Sequence, residues 1–270
     1  MSSGRVPPVP AVLRLVQRAV LHRWQATAED LYREVAALVE AAPQMEIVVS
    51  GCGEGETSQW LAEHTGASVT GVDPDADRIE AAEARSREPD AKARVHYEQA
   101  ALDDLPHETG VFDVAIGDAA LSASDDPERA VAELVRVVKP MGIVVLLMPT
   151  WTSEIARETR EAIVDRLGLR PHLLVEWKQM MRDAGLVELQ VQDWTDGAPG
   201  GRASAPGAPH PHLTLRQKMH IVGRAWRRWG WREARGAVER ETSLIRELSR
   251  ERALGFQLLK GVKWPHARTG

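Results

Sequence analysis

The residues best spaced for ligand chemistry are the glycines of Ser50-Gly51-Cys52-Gly53-Glu54-Gly55-Glu56-Thr57, which follow the β-branched run Glu46–Ser50. At a strand-to-helix turn, glycines let the backbone turn tightly and come close to a ligand, because no Cβ intervenes. A dinucleotide fingerprint, G-x-G-x-x-G, would place its third glycine at position 56, which is Glu56. A pyrophosphate sits on the helix N-terminus, and Glu54 and Glu56 would repel it there. A ligand with a sulfonium and an ammonium group and no phosphate meets no such objection, so the expected cofactor is S-adenosylmethionine. The next strand ends in Asp73, 22 residues after Gly51, the interval at which a carboxylate reaches ribose hydroxyls in such folds. Asp73 is expected to bind ribose and to matter little for folding, whereas Asp75 is expected to cap the following helix.

Other chemistry-bearing residues read more plainly. Cys52, the only cysteine, excludes an internal disulfide framework and suits a small loop-filling role. His210 and His212 lie in a Pro/Gly-rich stretch without further ligands, so no metal site is expected. Asp118 is followed by Ala119 and Ala120 rather than by the oxygen donors magnesium wants. Trp151, just after the fifth predicted strand, faces the sheet edge where substrates bind and is a substrate-lining candidate, with plain packing as the alternative. Trp24 and Tyr32 are expected to pack in the core, or to fold over the cofactor.

The elements that must position these residues follow from hydrophobic periodicity. Apolar residues recur at helical spacing from Ala11 to Ala42, and after Pro43 short β-branched runs alternate with helical segments. The strands are predicted at Glu46–Ser50, Ser68–Asp73, Ala93–Tyr97, Phe112–Gly117, Gly142–Met148, Val187–Gln192 and the terminal GFQLLKGVKW. Helices are predicted from Thr57, Asp75 and Pro127, and again before Ala184. This alternation predicts an α/β fold, a Rossmann-like doubly wound sheet of seven strands with the last antiparallel. The chain divides into an N-terminal helical cap (1–44), a cofactor-binding domain (45–193), a loop and helical insertion (194–254), and the last strand and tail (255–270).

Length, composition and charge bound the rest. A chain of 270 residues with 43% hydrophobic and 27% charged residues reads as an ordinary globular protein. Its N-terminus lacks the apolar core of a secretory signal, and a cytoplasmic location is expected. The net charge of −5 gives no overall case for nucleic acid. Between Arg216 and Arg235, however, the local charge is +6, beside an apolar stripe of Leu215, Met219, Val222, Trp226 and Trp229. The working expectation is a lid whose Trp226 lines the substrate pocket. A homodimer contact and an interfacial helix on an anionic membrane are the alternatives.

The ordered segments VVSGCGEGETSQW (48–60), VTGVDPD (69–75), LDDLPHETGVFDVAI (102–116) and LVRVVKPMGIVVLL (134–147) resemble the motifs of class I S-adenosylmethionine-dependent methyltransferases. The similarity is narrower to the branch that methylates small molecules, and WKQMMRDAGLVELQVQD (177–193) resembles its penultimate helix and strand. The resemblance implies that Ser50, Gly51, Gly53 and Gly55 cradle the methionine portion and Asp73 the ribose. It also implies that Leu102 and Asp103 lie near adenine, and that Gly117 and Asp118 line the floor beside the sulfonium. Asp113 matches a structural position. Two positions depart from the family pattern. Val49 stands where an acidic residue usually holds the ligand's amino group indirectly, and Ala101 stands where an aspartate commonly meets the adenine amino group.

The implied reaction is in-line attack of a small-molecule nucleophile on the sulfonium methyl, with Asp118 as the expected general base where the nucleophile arrives protonated. The alternatives are a non-catalytic adenosylmethionine-binding or regulatory protein and an NAD-dependent enzyme.

Overall fold

The computed structural model describes residues 28–87, 95–152, 160–161, 163–164, 170–194, 230–232, 235–236, 239 and 254–265. Helix α1 (Ala28–Leu38) precedes β1 (Glu46–Ser50), α2 (Glu56–Thr65), β2 (Ser68–Asp73), α3 (Ala76–Ser86) and β3 (His96–Gln99). There follow β4 (Phe112–Gly117), a short 3₁₀ helix (Ala119–Ala123), α4 (Pro127–Val137) and β5 (Val138–Trp151). The two-residue β6 (His172–Leu173), α5 (Leu174–Asp183), β7 (Leu186–Asp193) and β8 (Leu254–Lys263) complete the order.

The main sheet runs β3-β2-β1-β4-β5-β8-β7, with β6 paired to the end of β5. The pairs β1–β2, β1–β4, β2–β3 and β4–β5 are parallel, while β8 runs antiparallel to both β5 and β7. The seven-stranded order and the antiparallel last strand are those expected from the sequence.

A parallel sheet covered on both faces needs strands that are apolar on both sides, and β1 shows how this is met. Ile47 and Val49 face a layer with Leu31, Val35, Leu61 and Ile79, from α1, α2 and α3. Val48 faces the other layer, with Val131, Leu134, Trp177 and Met181 from α4 and α5. Helix ends are fixed locally. The Asp75 side chain accepts a hydrogen bond from Asp77 N–H, so the expected cap is present. Asp126 accepts from Arg129 N–H ahead of Pro127, and Gly66 closes α2 at φ +73°.

Two strands differ from their predicted limits. β5 extends from Val138 to Trp151 rather than Gly142–Met148 because Val138 pairs with Phe112 of β4 at one end and β8 pairs with it as far as Trp151↔Leu254 at the other. β3 starts at His96 because its register with β2, Thr70↔His96 through Asp73↔Gln99, draws polar residues into the strand. Among the described residues no helix is long and apolar enough to cross a membrane.

Because the chain leaves β1 toward β2 and β3 and then crosses back to β4, the C-terminal ends of β1 and β4 flank a topological switch point. In open α/β sheets that crevice is where ligands bind.

Candidate active site

The glycine turn begins where β1 ends. Gly51 N–H and Cys52 N–H both donate to Val72 O, at 2.7 and 3.0 Å, which ties the turn to β2. Gly55 adopts φ +81°, and a Cβ there would lie 2.8 Å from Tyr97 Cζ and 2.9 Å from Ala82 Cβ, so this glycine is required by packing. At Gly53, φ +57°, a Cβ would meet nothing within 4 Å. The turn therefore packs closely at Gly55 and is open at Gly53, the arrangement a ligand approaching the backbone needs. Gly117, expected beside the sulfonium, also has a packing reason, since a Cβ there would lie 2.7 Å from Leu146 Cδ2.

Side chains from three elements brace this turn. Asp73, with no exposed surface, accepts from Gly53 N–H through Oδ2 at 3.0 Å and from Asp75 N–H through Oδ1 at 3.0 Å. Arg78 lies 3.3 Å from the same Oδ2. The expectation that Asp73 matters little to folding is thereby corrected, because a buried carboxylate with these bonds is part of the frame. Arg85 of α3 donates to Glu54 O at 3.2 Å and pairs with Glu56 Oε1 at 3.2 Å, while Tyr97 Oη donates to Gly55 O at 3.2 Å. Sequence reading missed Arg85 and Tyr97, whose partners are backbone carbonyls 31 and 42 residues away.

Cys52 is buried, and burial together with the nearby Asp73 and Asp118 charges pushes its thiol well above the ordinary range. It is a filling residue, as expected, and no nucleophile.

Across β1, Asp118 N–H donates to Ser50 O at 2.9 Å. Its carboxylate is 5% exposed, accepts from Ala119 N–H through Oδ1 at 2.6 Å, and takes the Thr57 hydroxyl on Oδ2 at 3.1 Å. The buried Tyr32 hydroxyl of α1 is hydrogen-bonded to the same Thr57 side chain. Burial, reinforced by the Asp118 charge, raises the Tyr32 phenol above its usual value and keeps it protonated. Ser50 Oγ is buried without a hydrogen-bond partner among the described residues.

The other expected site residues are more scattered. Leu102 is buried in the α4–α5 layer and Asp103 is half-buried beside it, whereas Ala101 is exposed. Val49 is fully buried in the opposite layer. Trp151 closes β5 at 4% exposure, with the Arg160 guanidinium 5.8 Å above its ring. Trp24, Trp226, His210, His212 and the helix 215–231 fall outside the described residues, apart from Gly230 and Trp231.

A second polar corner, which sequence reading passed over, stands at the end of β5. His172 pairs with Thr150 in the ladder, its Nδ1 lies 3.5 Å from Glu176 Oε2, and its ring meets Trp177 edge-on at 5.0 Å. Arg170 N–H donates to Ser122 O at 2.9 Å, joining this corner to the 3₁₀ helix after Asp118. The available signal was the i, i+4 spacing of His172 and Glu176 across the start of α5. Among the described residues no three His, Cys, Asp or Glu side chains gather as a metal site.

A switch-point crevice with a glycine turn after β1, an acidic residue ending β2 and an antiparallel final strand define a Rossmann-like methyltransferase fold. A family model described as "Methyltransferase domain" matches residues 48–146. The malonyl-(acyl-carrier protein) O-methyltransferase of Salmonella typhimurium is 34% identical over 189 residues, 66% of this chain and 70% of that one. The sarcosine/dimethylglycine N-methyltransferase of Halorhodospira halochloris is 24% identical over 59% of this chain and 58% of its own. The chain spans a little over half the length of the first curated relatives it matches, 58% and 57%.

Among solved structures, the cyclase SpnF superposes with a TM-score of 0.69 at 21% identity, over 89% of this chain and 82% of that one. Geranyl diphosphate methyltransferase in complex with SAM gives 0.63 at 19% identity, over 97% and 93%. The chain belongs to the class I S-adenosylmethionine-dependent methyltransferase family. S-adenosylmethionine is that family's cofactor, and the NAD-dependent alternative falls away. The open face at Gly53 and the two buried carboxylates beside the turn fit a cationic ligand that lacks phosphate.

Proposed function

We propose that this protein transfers the methyl group of S-adenosylmethionine to a small-molecule acceptor by in-line displacement. The supporting observation is the placement of Asp73 and Asp118, both buried, on either side of the glycine turn. Two fixed negative charges there favour a ligand bearing ammonium and sulfonium groups over one bearing phosphates.

When bound, S-adenosylmethionine supplies a methyl group already activated on sulfur. The protein's contribution is alignment and exclusion of water. Ser50, Gly51, Gly53 and Gly55 hold the methionine portion, Asp73 receives the ribose hydroxyls, and Leu102 and Asp103 border the adenine. Gly117 lies under the sulfonium. Trp151 borders the acceptor together with Trp226, which the 194–254 lid carries. Asp118, its carboxylate held in place by Ala119 N–H and the Thr57 hydroxyl, is the proton acceptor in this proposal where the nucleophile arrives protonated. The single buried thiol suits a reducing cytoplasm.

The test is incubation with methyl-labelled cofactor and a small-molecule cell extract, followed by mass spectrometry. The acceptor panel includes sarcosine, dimethylglycine and malonyl thioesters, after the names of the relatives. Label in a small molecule is the expected result. A second reading, cofactor binding without methyl transfer, draws on Val49, Ala101 and the likeness to a cyclase fold. Tight binding with no labelled product from any acceptor would select it.

A further inference from the structure

The end of β5 carries a cation with no carboxylate paired to it. β4 stops at Gly117, opposite Leu146, whereas β5 continues to Trp151. The last residues of β5 therefore rise beyond the end of β4 and wall one side of the crevice. Side chains alternate along a strand, and Val145 and Leu147 face the layer of α1, α2 and α3, so Trp151 projects to that same side. Asp118, held by Thr57 of α2, stands on this side too, just past the end of β4.

Arg160 lies over Trp151, with its guanidinium 5.8 Å from the ring centre. The residue is half-buried, and its Nε is buried without a hydrogen-bond partner. Among the described residues no carboxylate pairs with this guanidinium. Glu161 beside it in the chain is exposed, and Glu176 is turned to His172 at 3.5 Å. Arg170 adds a second cation at this corner, close enough to weigh on His172 of β6, which pairs with Thr150. Charge is thus divided across the crevice. The buried Asp73 and Asp118 lie beside the glycine turn, and Arg160 and Arg170 lie at the end of β5. A guanidinium set on an aromatic ring and partly shielded from water is short of a counter-ion. Its fork of N–H donors matches the two oxygens of a carboxylate.

Resting on the reading that Trp151 borders the acceptor, we propose that Arg160 binds a carboxylate of that acceptor, which is therefore an organic acid methylated at another atom. The carboxylate is a handle that keeps its charge through the reaction.

Methyl-labelled S-adenosylmethionine and a small-molecule cell extract, divided by anion exchange into retained and unretained fractions, test this. The wild type should label a compound from the retained fraction, and the product should itself be retained. Dilution of the active fraction gives the half-saturating amount of acceptor. Arg160→Gln should raise that amount about tenfold to a hundredfold, the loss of one charge-assisted contact, with a smaller effect on the maximal rate. Arg160→Lys, which keeps the charge but not the fork, should fall between the two. Calorimetry with S-adenosylhomocysteine should give both variants the affinity of the wild type and show that they fold; if one does not, the other decides. An unretained acceptor or product overturns the assignment. So does an unshifted half-saturation in the folded variants, a loss of maximal rate alone, or labelling abolished by treating the fraction with phosphatase beforehand. If the wild type binds S-adenosylhomocysteine and labels nothing, the functional reading itself fails and the assignment with it.

Discussion

At the scale of single residues, the glycine turn separates positions that hold the fold from positions that face the ligand. Gly55→Ala forces a side chain against Tyr97 and Ala82 at positive φ, so the variant should lose about 2–4 kcal/mol of stability, seen as a large fall in Tm. Gly53→Ala meets open space and bears only the left-handed strain of about 1 kcal/mol. On the proposed reading that open space receives the methionine portion, so cofactor affinity measured by calorimetry should drop more than stability does. Equal stability losses in the two variants would contradict this division. Asp73→Ala should lose both properties, about 1–3 kcal/mol of stability for the Gly53 and Asp75 N–H groups left without their acceptor, and a comparable share of cofactor binding. A variant with wild-type Tm would show that the buried carboxylate braces nothing.

At the scale of elements, the corner formed by β6 and α5 gives the fold a pH dependence. Burial lowers His172 below its ordinary value of 6.5, against the opposing pull of Glu176 and Glu128 and with the help of Arg170. A histidine lowered in the folded state favours the neutral form there. Its stability contribution is complete above the unfolded value and is lost as pH falls through the folded one. Tm should therefore fall between about pH 7 and pH 5, and His172→Gln should flatten that fall. The residual slope belongs to His107, which burial also lowers. An unchanged slope in the variant would show that His172 protonates without cost.

The same elements show what a sequence makes legible. The limits of β1, β2 and β4 were readable because each is a short β-branched run bounded by turn residues. Asp113 was read as structural, and it is held by Glu46 N–H at 2.9 Å and Lys139 Nζ at 2.8 Å, at the strand ends opposite the glycine turn. The added length of β5, the shift of β3 and the bracing by Arg85 and Tyr97 were not readable. Each depends on a partner far away in the chain, and periodicity reports only a segment's own faces. The site divides in the same way. The glycine turn and Asp73 were legible as a motif, whereas the link from Tyr32 through Thr57 to Asp118 joins three elements and has no local pattern.

At the scale of the whole molecule, the sheet's last two strands matter most. β7 ends at Asp193 and β8 begins at Leu254, and Trp194 N–H donates to Phe256 O at 2.8 Å, so the chain leaves and re-enters the sheet at hydrogen-bonded neighbours. In the intervening stretch Trp231, Arg232, Arg235 and Glu239 are exposed. Replacing 195–253 by a four- or five-residue turn should leave a folded protein that still binds S-adenosylhomocysteine, since the turn residues named above all lie before it and a shorter connection is easier to close. Methyl transfer to the acceptor should be lost. Failure of the shortened chain to fold would mean that the segment carries part of the core. The consequence reaches beyond one variant. A stretch hung from two adjacent rungs of an antiparallel ladder behaves as an exchangeable cassette. On the proposed reading that 194–254 borders the acceptor, a swap of this stretch would change the acceptor while the sheet keeps its register.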